Sequence, residues 1–478
     1  MKKMKFTKNF FTPTLIASAL ALSTTYANAA AFQLAEVSSS GLGRAYAGEA
    51  AIADNAAVVA TNPALMSLFN TKQFSMGGVY VQSKINLNGN VSVSAGKALQ
   101  AQGASRQPIT EEAAQKNIVP GALIPNMYFV APINDKFAVG AAMNVNFGLK
   151  SQYKSNYDAG VFGGTTELNS INLNLSGSYR ISKGLSIGVG LNAVYAKAKI
   201  ERRAGILDKG VDKLASLPKP QLKMIFSPLA SMVDANSPIV QLQDNNAWGL
   251  GWNIGAVYEF NQGNRIGIAY HSKVDINFKD SDALRYRLVE SGSIEPYRNR
   301  GKLTLHLPDY LEISGFHQLT EKFAMHYSYK YTKWSRLQSL HAVYDNGQVA
   351  FHKDENFDDS SRVALGATYN VNDKLTLRAG IAYDESAEHP SASIPDTDRT
   401  WYSLGATYHF TPNLSVDVGF AHLRGKKRQF KEGYEIGNTV SDPRNGGQVT
   451  NIQLAVVSAD YQSTARANLY GLNLSYRF

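Results

Sequence analysis

Three charged residues set the first question. Arg202, Asp384 and Arg399 stand at the ends of alternating segments, where their side chains share the face of Asn192, of Gly380 and Ala382, and of Ser403 respectively. A guanidinium makes two-pronged, charge-assisted contacts to a carboxylate. Two such groups with an acid beside them could take an anionic head group as it leaves water, or could form an ion network that only braces a wall. Hydrolysis has less to stand on, because a Ser or Asp nucleophile needs a His and an orienting partner at one strand end. His271 and Ser272 are adjacent, so on a strand they point to opposite faces, and His306, His317, His326 and His352 are scattered. With no cysteine, disulfides and Cys-ligated zinc or iron–sulfur sites are excluded. No nucleotide loop or metal-ligand spacing stands out, so no metal or cofactor is expected.

For those three positions to converge, the segments that carry them must be strands of one wall. Period-two alternation supplies such strands. Ile171, Leu173, Leu175 and Tyr179 alternate with Asn172, Asn174, Ser176, Ser178 and Arg180. After Ser182-Lys183-Gly184, Leu185, Ile187, Val189, Leu191 and Tyr195 alternate with Ser186, Gly188, Gly190 and Asn192. The same pattern gives fourteen strands, near 73–85, 123–132, 136–149, 169–182, 184–197, 247–260, 264–277, 301–317, 321–335, 361–370, 374–384, 399–410, 414–425 and 467–478. Tight turns fall at Asn134-Asp135, Lys183-Gly184, Asn261 to Gly263, Asn372-Asp373 and Pro412-Asn413. Long connections fall at 86–122, 150–168, 198–246, 278–300, 336–360, 385–398 and 426–466.

An even strand number, with short turns at one end and long loops at the other, is the layout of an outer-membrane barrel. A soluble sandwich is the competing reading, but polar faces of Asn, Ser, Gly, Arg and Glu suit a wet lumen better than a dry core. The expected fold is therefore all-β: a 14-stranded antiparallel transmembrane β-barrel over 72–478, in the bacterial outer membrane. It is expected to be monomeric, with its outer face against lipid and lipopolysaccharide. The strands of Arg202, Asp384 and Arg399 run up, up and down, which puts all three at the external end of the lumen. Leu472, Leu474, Tyr476 and Phe478 form a last alternating strand that resembles the assembly signal of outer-membrane proteins.

Composition agrees with strands and turns: Tyr 25, Phe 21 and Gly 39, with 18% of residues charged. Past the first thirty residues no apolar run approaches the ~18 residues of a membrane helix. Residues 1–29 read as a secretory signal peptide, with Lys2, Lys3, Lys5 and Lys8, an apolar stretch from Phe10 to Leu22, and Ala27-Asn28-Ala29 as the cleavage site. Its removal lowers the formal charge from +10 to about +6, too mild for a nucleic-acid partner. Residues 30–71 do not alternate, yet Ala56 to Leu68 is apolar enough to pack, and the simplest destination is the lumen, as a plug.

This segment and later ones carry a resemblance. Phe32-Gln33-Leu34, the run from Ser39 to Glu49 and Asn62-Pro63-Ala64 resemble the N-terminal hatch of the FadL family of long-chain fatty acid transporters. So do Phe129 to Asp135, Asn172 to Gly177, Ala198 to Arg202 and Ile394 to Arg399. The resemblance implies a hatch-plugged barrel without metal or ATP. A hydrophobic ligand is caught by the outer loops, passes to an internal pocket and leaves sideways through a gap in the wall. It puts Arg202 and Lys353 where the pocket cations lie and Asp384 where their acidic neighbour lies, with Arg399 and Phe32 completing the ligand-binding set. Asn62, Pro63 and Ala64 mark the hatch, and Pro63 restrains its turn.

Glycines at two places suggest the gap. Gly249, Gly251 and Gly255 leave the inner face near 247–260 empty, and Gly148 marks a kink or bulge near the end of its strand. Ordinary barrel curvature is the alternative. The loops 198–246 and 278–300 bring apolar residues, among them Leu214, Leu217, Phe226, Leu229 and Tyr286, that suit capture or mutual packing. Departures from the family in 86–122, 198–246 and 426–466 leave open uptake of other hydrophobic compounds such as aromatic hydrocarbons. A general porin or a barrel hydrolase are the remaining alternatives, and residues 30–71 count against the porin.

Overall fold

The computed structural model describes residues 33–288, 294–387, 389–442 and 448–478. The signal-peptide reading of 1–29 and the assignment of Phe32 fall outside them. Fourteen strands form the wall: β1 (Gln73–Ala95), β2 (Ala122–Pro132), β3 (Phe137–Asn144), β4 (Gly164–Arg180), β5 (Leu185–Arg203), β6 (Pro238–Asn261), β7 (Asn264–His271), β8 (Tyr310–Gln318), β9 (Phe323–Thr332), β10 (Ser360–Asn370), β11 (Leu375–Asp384), β12 (Arg399–His409), β13 (Leu414–Gly425) and β14 (Gln448–Arg477). Each pairs antiparallel with the next. β1 closes the ring on β14, from Gln73↔Arg477 to Ala95↔Ala455. Closure joins the first strand to the last, which is what a sheet facing lipid requires.

Alternation sets the two faces. Leu175, Leu191 and Leu250 point outward and are more than two-thirds exposed, while Asn174, Ser176 and Asn253 are buried inside. Asn174 and Asn192 both donate to Asn253 Oδ1, at 3.0 and 2.9 Å, so the polar inner face is hydrogen-bonded to itself. The short turns share one device, a side-chain oxygen that accepts backbone N–H groups of the turn. Asn134 Oδ1 takes Lys136 N and Phe137 N, and Asn372 Oδ1 takes Lys374 N and Leu375 N, all at 2.9 Å.

The long connections are more ordered than expected. The stretches 264–277 and 301–317, read as single strands, each divide. β7 ends at His271 and β8 begins at Tyr310. Between them Val274–Leu288 and Ile294–Leu307 pair as a hairpin that leaves the ring. Most of 426–466, read as loop, is a second hairpin of Arg428–Asp442 on the extended β14. A third joins Ser339–Tyr344 to Val349–Asp354. Of the apolar residues of 198–246, Leu214, Phe226 and Leu229 lie on two helices, Leu207–Ala215 and Pro220–Ala230, and Leu217 on the turn between them.

Residues 33–71 run inside the ring and bond to many of its strands. Ser39 N and Oγ donate to Asn473 Oδ1 at 2.9 and 2.6 Å. Gly48 N donates to Ser328 Oγ at 2.7 Å, and Ala50 N to Ser314 Oγ at 3.1 Å. Arg44 is neutralised within the segment, 2.7 Å from Glu49 and 2.9 Å from Asp54. Backbone meets backbone at Gly43 and Gly405, where a Cβ on either would overlap the other residue's Cα.

Candidate functional site

An apolar cluster fills the external half of the lumen above the inner segment. Phe147, Leu149, Leu305, Trp334, Phe357 and Ile394 belong to it and are buried. Trp334 and Phe147 meet edge to face, with ring centroids 6.4 Å apart. A greasy interior at this height asks for an apolar occupant or for burial of its own side chains.

The wall is interrupted beside this cluster. β3 stops at Asn144, opposite Asn172, and pairing to β4 resumes at Gly148, opposite Asn169, with Gly148–Gln152 as a short strand. Three residues, Val145 to Phe147, thus stand against two on β4, a bulge that bends the chain. On the other side β2 pairs with β3 only from Met127↔Met143 downward, although it pairs with β1 as far as Ala122. Residues 122–126 and 145–149 therefore border a stretch of wall in which the two chains are not paired as strands. A bond from Gln152 N to Ile118 O, 2.7 Å, bounds it above. The inner segment starts at this window: Leu34 N donates to Asn146 O at 2.8 Å, and Tyr128 Oη donates to Val37 O at 2.8 Å. Gly148 sits at the bulge, where an added Cβ would meet Leu34 at ordinary contact distance.

Gly255 does not open the wall. It is paired on both sides, with Gly188 and with Ala269. The space left by its missing side chain is taken by Asn62, which donates to Ala50 O at 2.8 Å and Ala256 O at 3.1 Å and accepts from Ala64 N at 3.1 Å. Pro63 and Ala64 rest in the same way on Gly188. The expectation of a gap at Gly255 is corrected on this ground: the glycine admits the inner segment.

The charged residues form two groups on the edge of the apolar cluster. Asp384 and Arg399 are cross-strand partners, with Arg399 3.2 Å from Asp384 and 3.5 Å from Asp396. Arg399 and Asp396 line a small cavity of about 30 Å³ with Leu149 and Ile394, two members of the cluster. Arg202 is buried at the end of β5, donating to Thr165 O at 3.1 Å and Thr166 Oγ1 at 3.0 Å, with its guanidinium 6.0 Å from the centre of the Phe351 ring. Lys353 Nζ donates to Glu355 at 2.8 Å, Ser391 at 3.0 Å and Ser393 at 2.8 Å. Asp384 thus pairs with Arg399, and the carboxylates that act on Arg202 and Lys353 are Glu355 and Glu432. Glu432 accepts from Ala392 N at 2.8 Å, and burial pushes its carboxyl above the usual carboxylate range. Glu355, Glu432, Ser391 and Ser393 were not singled out from sequence, because their segments do not alternate and parity assigns them no face.

Farther out, the two helices of 207–230 close over the extended strands. Leu99, Leu214, Leu217, Phe226, Leu229 and Tyr286 line a mostly apolar cavity of about 200 Å³. The loop side chains both pack on one another and leave room for a ligand.

Comparison with known proteins follows the same lines. Residues 20–478 match the family model described as "Outer membrane protein transport protein (OMPP1/FadL/TodX)". "Outer membrane protein P1" of Haemophilus influenzae is 57% identical, over 98% of this chain and 99% of its own. The "Long-chain fatty acid transport protein" of Escherichia coli K12 is 40% identical over the same shares. Among solved structures, a FadL homologue of Pseudomonas aeruginosa superposes with a TM-score of 0.71 at 21% identity, covering 94% of this chain and all of that one. The Pseudomonas putida toluene transporter TodX gives 0.60 at 17%, covering 89% and 95%. These structural likenesses bear on the fold.

Proposed function

Because this chain belongs to the OMPP1/FadL/TodX family of outer-membrane transport proteins, we propose that it takes up long-chain fatty acids by passive, ligand-gated diffusion and releases them sideways into the membrane. The reading rests most on one juxtaposition: two cations, buried Arg202 and half-buried Lys353, at the rim of an apolar interior that contains Phe351 and Trp334. An alkyl chain in water is drawn to the outer cavity by its apolar area. From there it passes to the internal cluster, whose side chains give way to it. The carboxylate is met by the Arg202 guanidinium, whose planar fork is weakly hydrated and suits a two-pronged contact, and by the Lys353 ammonium. Residues 33–71 act as the hatch, keeping the barrel shut to polar solutes. The window at Val145 to Phe147 is the exit, so the ligand avoids the polar inner face below. A dry lateral path suits a molecule that the polar outer layer of lipopolysaccharide excludes.

Aromatic hydrocarbons are the second reading, favoured by the outer cavity, which presents mostly apolar side chains. Such a ligand makes no use of Arg202. Uptake of radiolabelled palmitate by cells expressing the chain, against cells lacking it, separates the two. The proposal expects palmitate uptake that excess unlabelled palmitate abolishes and excess toluene does not. Uptake of toluene without uptake of palmitate contradicts it.

A further inference from the structure

The hairpin that carries Lys353 bears a second constellation on its other face. His341 and His352 are cross-strand partners, both exposed, with Nδ1 atoms 3.0 Å apart. His352 Nε2 lies 3.1 Å from Asp354 Oδ1. A carboxylate only accepts, so Nε2 of His352 carries the proton, and in the neutral ring Nδ1 presents a lone pair toward His341. Lys353 alternates with these side chains along the strand and turns to Glu355, Ser391 and Ser393, away from the pair.

We propose that His341 and His352 form a surface site for a divalent transition-metal cation, held through the two Nδ1 atoms, with water completing its coordination. Three observations converge on this. The residue type is the commonest protein ligand for such metals. The carboxylate on the far nitrogen of His352 is the arrangement that orients metal-binding imidazoles and raises their basicity. The nitrogen separation is the third. Two metal–nitrogen bonds of about 2.0–2.1 Å at a right angle span roughly 2.9 Å, and at the tetrahedral angle roughly 3.3 Å. The observed 3.0 Å fits adjacent corners of a tetragonal site, the geometry of copper(II) or nickel(II), better than a tetrahedral zinc site. Small rotations of the exposed rings aim both lone pairs at one point. The proton on Nδ1 of His341 moves to its Nε2 through solvent, so binding to the neutral rings releases no net proton. Among the described residues no group of three His, Asp or Glu side chains gathers at one point, so the protein supplies two ligands and the solvent the rest.

The test uses the untagged mature protein in detergent micelles, titrated with copper(II) and followed by electron paramagnetic resonance and calorimetry. The expected result is one high-affinity equivalent with an axial spectrum split by two nitrogens. His352→Ala weakens that affinity at least tenfold and leaves one-nitrogen splitting. Asp354→Asn weakens it about tenfold, the usual effect of losing an orienting carboxylate. Both side chains are exposed, so fatty acid uptake by the variants stays at the wild-type level and reports intact folding. Unchanged copper affinity in the His341→Ala, His352→Ala double variant, or a wild-type spectrum without two-nitrogen splitting, overturns the proposal.

Discussion

The amide of Asn62 sits where Gly255 has no side chain, and a Cβ on that glycine would overlap Asn62 Oδ1. One residue of the inner segment is thereby keyed to one residue of the wall. The key has three hydrogen bonds, to Ala50 O, to Ala256 O and from Ala64 N.

Either half of the key can be broken. Asn62→Ala leaves buried backbone groups unpaired, at about 1–3 kcal/mol, and Gly255→Ala pushes Asn62 out of its seat. In both variants the barrel should still assemble, shown by normal heat-modifiable migration, while hydrogen exchange of residues 56–68 rises by at least tenfold. Unchanged protection of that segment in Gly255→Ala would mean that the wall yields and Asn62 is not held there.

The extra residue opposite β4 sets the window. Deleting Asn146 makes the count from Asn144 to Gly148 equal to that from Asn172 to Asn169, so the strand can run on without a bulge. The expected outcome is an assembled barrel whose palmitate uptake falls at least tenfold with palmitate binding retained. Wild-type uptake by an assembled deletion variant removes the lateral route.

Glu432 gives the pocket a pH dependence. Burial raises its carboxyl above the ordinary 4.5, against the pull of Lys353, of Ala392 N–H and of Arg202. Below that raised value the group is neutral and leaves the cations to a ligand; above it the carboxylate competes for them. Affinity for an ionised fatty acid should therefore fall as pH rises through the raised value, and Glu432→Gln should flatten the profile. Fluorescent fatty acid binding from pH 5 to 9 checks this, and a profile that survives the substitution assigns the titration elsewhere.

What could be read from sequence has a physical boundary, visible in one strand. Ile266 and Ile268 face outward, at 37% and 42% exposure, and Val274 and Ile276, of the same parity, are buried at 6% and 0%. Lipid and protein interior make the same demand on a side chain, so the alternation runs unbroken past the point where the chain leaves the wall at Ser272 and Lys273. The number of wall strands and their order survived this because each short turn carries its own Asn, Ser or Thr signal. Arg202, Asp384 and Arg399 were legible because they lie on alternating strands. Glu355 and Glu432 were not, since hairpins outside the ring follow no common parity. Gly255 was legible as an empty place, but its occupant comes from a segment far away in sequence.

The central claim is that a fatty acid's carboxylate is read by Arg202. A charge-assisted hydrogen bond in a partly dry site contributes about 1.5–3 kcal/mol, or roughly tenfold or more in affinity. The decisive measurement is the binding of palmitic acid and of hexadecanol to the wild-type protein and to Arg202→Ala in detergent. The expected result is at least a tenfold loss for the acid with little change for the alcohol. Equal losses for acid and alcohol would show that Arg202 braces the wall and does not read the carboxylate.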